Sequence, residues 1–111
     1  MGKPRPALQF GEPDNGRVVP AGIGQTLELR LDENPTAGFR WRLARAEDPV
    51  WSLLEDFFEP GGRTPGRPGV HCWRFGILAA GAGTIDLVYS RAWETESAAG
   101  CHFSLRLQVG A

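Results

Sequence analysis

Cysteine, methionine and tyrosine are scarce in this chain, with two, one and one among 111 residues. Two cysteines permit at most one disulfide. Long hydrophobic runs are missing: no stretch approaches the roughly 20 apolar residues of a spanning helix, and Met1-Gly2-Lys3-Pro4-Arg5-Pro6 leads into no apolar signal-peptide core. The chain as it stands therefore reads as soluble: cytoplasmic or, had a signal been removed, periplasmic or secreted. An excess of one charge is missing too. Twelve basic and thirteen acidic residues give a net charge of −1 with no run of like sign, which argues against a nucleic acid or a membrane surface as partner. A monomer is expected.

What the chain does contain is aromatic bulk and turn chemistry. Four Trp and six Phe supply core material, while 15 Gly and 9 Pro imply many turns between short strands. Residues 1–16, rich in Pro, Gly and charge, read as a flexible or edge-strand lead-in anchored by Leu8 and Phe10. Residues 17–111 read as one domain. Within it, Leu27, Leu29 and Leu31 alternate with Glu28, Arg30 and Asp32, and Phe39, Trp41 and Leu43 alternate with Arg40, Arg42 and Ala44. This is the period of two of half-buried strands. Residues 70–78 repeat it with Trp73, Phe75 and Ile77 inward, and 84–90 with Ile85, Leu87 and Tyr89. Residues 101–109 close the domain. Val50 to Phe58 fits a strand or a short helical turn equally by pattern, and strand is the reading adopted. The expectation is an all-β, immunoglobulin-like antiparallel β-sandwich of about seven strands, with Trp41 in its core.

Between the first two of those alternating runs lies Asn34-Pro35-Thr36-Ala37-Gly38. Pro35 fixes its own φ, and Gly38 permits a positive φ where the chain turns back. Alone, such a pentapeptide is a connection like many others. It gains weight from two later segments, Gly66-Arg67-Pro68-Gly69 and Arg91-Ala92-Trp93, each beside a strand. In order and spacing the three resemble the binding loops of the chagasin-like inhibitors of papain-type cysteine proteases, which carry Asn-Pro-Thr-Thr-Gly, Gly-X-Gly-Gly and Arg-Pro-Trp. The resemblance extends from about Gly22 to Val109.

That resemblance implies a binder and not an enzyme, with no cofactor, no catalytic residue and a papain-type (cathepsin-like) protease as partner. Asn34, Pro35, Thr36, Ala37 and Gly38 would form a wedge over the protease's catalytic cysteine, with Asn34 bracing the loop. Thr64 and Pro65 would stand where relatives reach the second specificity pocket, ahead of Gly66, Arg67, Pro68 and Gly69. Trp93 would pack against an aromatic wall on the primed side of the cleft, and Arg91 would hydrogen-bond the protease. Three departures stand out: Ala37 replaces a Thr, Pro68 replaces a Gly and removes an N–H donor, and Ala92 replaces a Pro. Judged without the motif, Trp93 would be a core residue, since Trp is buried on average. The alternative function is an immunoglobulin-like interaction module that uses the same scaffold without inhibiting a protease.

His71-Cys72 and Cys101-His102 raise a zinc or nucleophile reading. Adjacent strand residues point to opposite faces, so neither pair readily offers two ligands to one metal, and no metal site is expected. Cys72 falls on the outward face and Cys101 on the inward one, which argues against a disulfide between them.

Overall fold

The computed structural model describes residues 7–34, 38–45, 47–61, 69–91 and 101–110. Their elements are strand β1 (Leu8–Phe10), a 3-10 turn (Glu12–Asp14), and strands β2 (Val18–Gly22), β3 (Thr26–Glu33), β4 (Phe39–Leu43), β5 (Trp51–Glu59), β6 (Gly69–Ile77), β7 (Gly81–Arg91) and β8 (Cys101–Gly110). They form two four-stranded sheets, ordered β1-β3-β6-β5 and β2-β8-β7-β4.

The sandwich expected from the alternation is present, with two corrections. Eight strands are described instead of about seven, and the sheets are mixed. β1 runs parallel to β3 and β2 parallel to β8, while the other pairings are antiparallel. The reason lies in the lead-in, where the Glu12-Pro13-Asp14 turn carries the chain from the edge of one sheet to the edge of the other. Pro20 is tolerated in β2 because that strand is an edge.

The inward positions are those the period of two selects. Leu27, Leu29 and Leu31 of β3, Trp73, Phe75 and Ile77 of β6, and Ile85, Leu87, Leu105 and Leu107 of the opposite sheet are buried in one core. β5 alternates imperfectly because its pairing with β6 shifts between Leu53 and Glu55. That bulge puts an extra residue into the strand, so the inward series passes from Trp51 and Leu53 to Asp56 and Phe58. Leu54 and Phe57 are left exposed, and Leu53, on this edge strand, is exposed as well despite its inward parity.

Two tryptophans link the sheets by side chain to backbone. At one end Trp51 Nε1 donates to the Thr84 carbonyl at 2.8 Å; at the other, Trp41 Nε1 donates to the Asp32 carbonyl at 2.9 Å. Each satisfies an indole N–H that burial would otherwise leave without a partner. The small residues Gly81, Ala82 and Gly83 before Thr84 belong to β7, which starts at Gly81. Val50 packs there so closely that a Cβ on Gly83 would lie 2.8 Å from the Val50 Cβ.

Candidate functional site

Three connections leave the strands at one end of the sandwich. β3 ends at Glu33 and the chain returns through Gly38 into β4; β5 ends at Glu59 before β6 begins at Gly69; β7 ends at Arg91 before β8 begins at Cys101. The ladders set these roots side by side. Glu33 is opposite Gly69, Glu59 opposite Val70, Phe39 opposite Arg91, and Tyr89 opposite Cys101. Residues far apart in sequence thus share one edge.

Of the residues expected to bind a partner, the structure describes Asn34, Gly38, Gly69 and Arg91, and all four stand at these roots. Pro35, Thr36, Ala37, Thr64, Pro65, Gly66, Arg67, Pro68, Ala92 and Trp93 lie outside the described residues. Gly38 has φ 84°, the left-handed conformation that glycine adopts without strain. Gly69 is required for a different reason, since a Cβ there would overlap the Phe58 ring and the Glu59 carbonyl oxygen. The Asn34 N–H donates to the Tyr89 hydroxyl at 3.0 Å, fixing the exit of the first loop to the opposite sheet. Tyr89 in turn lies between Phe39 and Trp41, at ring separations of 5.3 and 4.8 Å. The Arg91 guanidinium covers Phe39 at 4.7 Å.

Beneath the roots is a polar cluster outside the binding-loop motifs. Glu33 is 0% exposed. Its Oε2 accepts the Trp41 N–H at 2.6 Å and lies 2.9 Å from His71 Nδ1. The other ring nitrogen of His71 meets Asp56 Oδ1, and the imidazole stacks flat on the Trp73 indole, 4.0 Å between centroids. Arg40 Nε approaches Glu33 Oε1 to 4.0 Å from outside, with its guanidinium over Phe58. Alternation signals Glu33 and His71, which continue the inward series of Leu27-Leu29-Leu31 and of Trp73-Phe75-Ile77. Nothing in the pattern signals Asp56, which reaches the inward face only through the β5 bulge.

The His71-Cys72 pair is divided by the sheet. His71 joins the interior cluster, while Cys72 lies beneath Arg30 and Phe57 on the outer face, with Glu28, Glu59 and Arg74 nearby. Its neighbours cover it almost completely, leaving 1% exposure. Burial pushes the Cys72 thiol above its ordinary range, against a smaller opposing pull from Arg30. That is the reverse of an activated nucleophile. Cys72 is a free thiol. His102 is exposed on β8. Among the described residues no group of three or more His, Cys, Asp or Glu is arranged to hold a metal ion, and no helix is long and apolar enough to cross a membrane. A concavity of about 630 Å³ beside Asp48, Pro49 and Trp51 lies at the end of the sandwich away from the loop roots.

Comparison with known proteins addresses the whole domain. The family model described as chagasin family peptidase inhibitor I42 matches residues 21–107. Chagasin of Trypanosoma cruzi is 27% identical over 100 residues, covering 86% of this chain and 91% of chagasin. The cysteine protease inhibitor EhICP2 of Entamoeba histolytica has the same fold, with a TM-score of 0.81 at 21% identity over 94% of this chain and 96% of that one. So has PbICP-C, solved in complex with falcipain-2, with a TM-score of 0.61 at 16% identity over 99% and 96% of the two chains.

Proposed function

The chain belongs to the chagasin family of peptidase inhibitors, and from that premise we propose that it reversibly inhibits papain-type cysteine proteases by filling their active-site cleft with three loops. The observation that carries this reading is the pairing of Glu33 with Gly69 and of Phe39 with Arg91, which gathers three loop roots on one edge.

A cleft between two protease domains admits something thin that offers no cleavable bond in register. The Asn34–Gly38 segment suits this role, since Pro35 and the fixed geometry at Gly38 reduce the conformational freedom lost on binding. Thr36 and Ala37 stand nearest the catalytic thiol and Asn34 braces the loop. The second loop, Thr64-Pro65-Gly66-Arg67-Pro68-Gly69, runs along the cleft wall and contributes backbone hydrogen bonds. Pro68 withholds one donor there, which narrows the range of proteases accepted. In the third loop Trp93 is the anchor, offering large apolar area, and Arg91 donates to the protease from beside it. Ala92 leaves this loop less rigid than a proline would. The partner is a protease and the action is occlusion; the inhibitor supplies no chemistry.

Titration of papain and of a cathepsin L-type enzyme with the purified protein, followed by hydrolysis of a fluorogenic peptide, tests the reading. Dose-dependent, reversible inhibition is expected at roughly nanomolar to low micromolar concentration, the range of interfaces of ordinary size. Absence of inhibition at tens of micromolar by folded protein would overturn it in favour of an interaction module with another partner.

A further inference from the structure

We propose that Glu33, His71 and Asp56 form a charged relay that positions the first two loops, and that His71 is a positioning residue of the inhibitory edge, acting through Glu33. The inference rests on the inhibitor reading above for its consequence, and on side-chain geometry for its content.

The relay touches all four roots of those loops. Glu33 is the last residue of β3, where the first loop leaves, and its carboxylate holds the N–H of Trp41 on β4, where that loop returns. His71 lies two residues after Gly69, where the second loop returns, and Asp56 three residues before Glu59, where it leaves. His71 on β6 thus joins β3 and β5, and the Glu33 carboxylate carries the tie on to β4 in the other sheet. Other charges near it are few: Arg40 stands 4.0 Å from the far oxygen of Glu33, and Trp73 and Phe58 supply aromatic faces.

A carboxylate oxygen accepts and cannot donate, so an imidazole with one carboxylate at each nitrogen donates from both and carries a positive charge. The side chain of His71 is only 12% exposed and that of Glu33 is fully buried. Desolvating such a pair offsets most of its attraction, and an apolar pair of the same size would serve stability as well. Leu31 occupies the preceding inward position in that way. What leucine lacks is direction. A charged bond to the Trp41 N–H on one side and to Asp56 on the other fixes distances between strands, and a loop held at both roots loses less freedom on binding. Among the described residues Glu33 Oε1 accepts no hydrogen bond, and Oε2 makes both contacts that span the strands, at 2.6 and 2.9 Å.

The test uses the full chain, papain as the probe protease, and the variants Glu33→Gln, Asp56→Asn and His71→Gln. Expected results are an inhibition constant raised about tenfold for Glu33→Gln and about threefold for Asp56→Asn, both through faster dissociation, as loss of a charge-assisted bond at a preorganised site implies. Because both act through His71, the double variant should exceed Glu33→Gln little. The side chain of Asp56 is 46% exposed, so its variant should melt close to the parent and test the idea even where the buried variants fail to fold. In the parent, nitrogen NMR should find a proton on both ring nitrogens of His71. Inhibition unchanged in Asp56→Asn and Glu33→Gln, or a His71 ring carrying one proton, would overturn the relay. Failure of the parent to inhibit papain would instead strike the inhibitor reading. The relay would then be judged by amide resonances of Asn34, Gly38 and Gly69, which must move in Asp56→Asn if it positions the roots and stay fixed if it does not.

Discussion

The two ends of the sandwich are built from different physics. At the end away from the loops, two connections are of three residues each, 23–25 and 78–80. There Trp51 is buried, packed edge-on against Phe75 at 5.0 Å, and hydrogen-bonded to Thr84. Asp48 closes the corner by accepting the Val50 N–H at 2.8 Å and the Thr84 N–H at 3.3 Å. At the loop end two of the three connections, 60–68 and 92–100, are nine residues each, and the interior beneath them holds a carboxylate, an imidazole and a tyrosine hydroxyl. Apolar burial is non-directional and supplies most of the stability. Buried charged bonds add little net stability yet fix geometry. One end of this domain thus holds it together while the other holds loops in place.

The comparison breaks first if the far end is not the stabilising one. Trp51→Ala is expected to destabilise the domain by about 3–5 kcal/mol, the usual loss for a large buried aromatic, while molecules that remain folded inhibit as the parent does. Chemical denaturation followed alongside an active-inhibitor titration checks both halves. A loss below about 1 kcal/mol would show the stabilising core to be elsewhere. Trp93→Ala is the mirror experiment: inhibition weaker by about 2 kcal/mol or more with an unchanged melting temperature. A large loss of stability at unchanged affinity would assign Trp93 to the core.

Most of this architecture was legible in the sequence, and the exceptions have identifiable causes. Alternation selected the inward series of β3, β6 and β7, because a period of two is imposed by the pleat and survives any register. Gly38 was legible because a positive φ leaves few alternatives to glycine. The gathering of three loop roots depends on the β3–β6 and β4–β7 registers, which alternation alone does not set. β1 itself was beyond reach as a parallel partner: three residues carry no register signal, and its pairing depends on where the 3-10 turn delivers the chain. The relay was half legible. Glu33 and His71 occupy inward slots by parity, but their meeting depends on the β3–β6 register and that of Asp56 on a bulge that shifts parity in mid-strand. The binding roles of the loop residues rest on motif, since a loop's backbone course is set by local torsions that hydrophobic pattern does not encode.

A sharper test of the loop end concerns a single neutral bond. Tyr89→Phe removes the hydroxyl that accepts the Asn34 N–H and preserves the ring between Phe39 and Trp41. The expected loss is about 1 kcal/mol, as for an ordinary hydrogen bond, and it should be felt in affinity at least as much as in stability. If calorimetry shows the loss in stability alone, this end of the sandwich is ordinary core and the contrast fails.

The smallest effect expected separates surface charge from buried charge. Asp14, in the turn between β1 and β2, accepts the Gly11 N–H at 2.9 Å and pairs with Arg17. The Gly11 bond foremost, and then Arg17, hold its carboxyl below the ordinary value of 3.8. A depressed carboxyl pKa stabilises the fold above the unfolded-state value, and that contribution is lost as pH falls through the folded-state value. Denaturation curves of parent and Asp14→Asn should therefore differ at neutral pH and converge as pH falls through the folded-state value of Asp14. Solvent screening limits the difference to about a few tenths of a kcal/mol. Salt at about 1 M should remove only the Arg17 share, because the Gly11 bond is short-ranged and directional. The same salt should leave the effect of Glu33→Gln on dissociation from papain unaltered, since Glu33 is sealed from solvent. Equal salt sensitivity at the two sites would mean that water reaches Glu33, and the case for a buried positioning contact there would then give way to one for a surface ion pair.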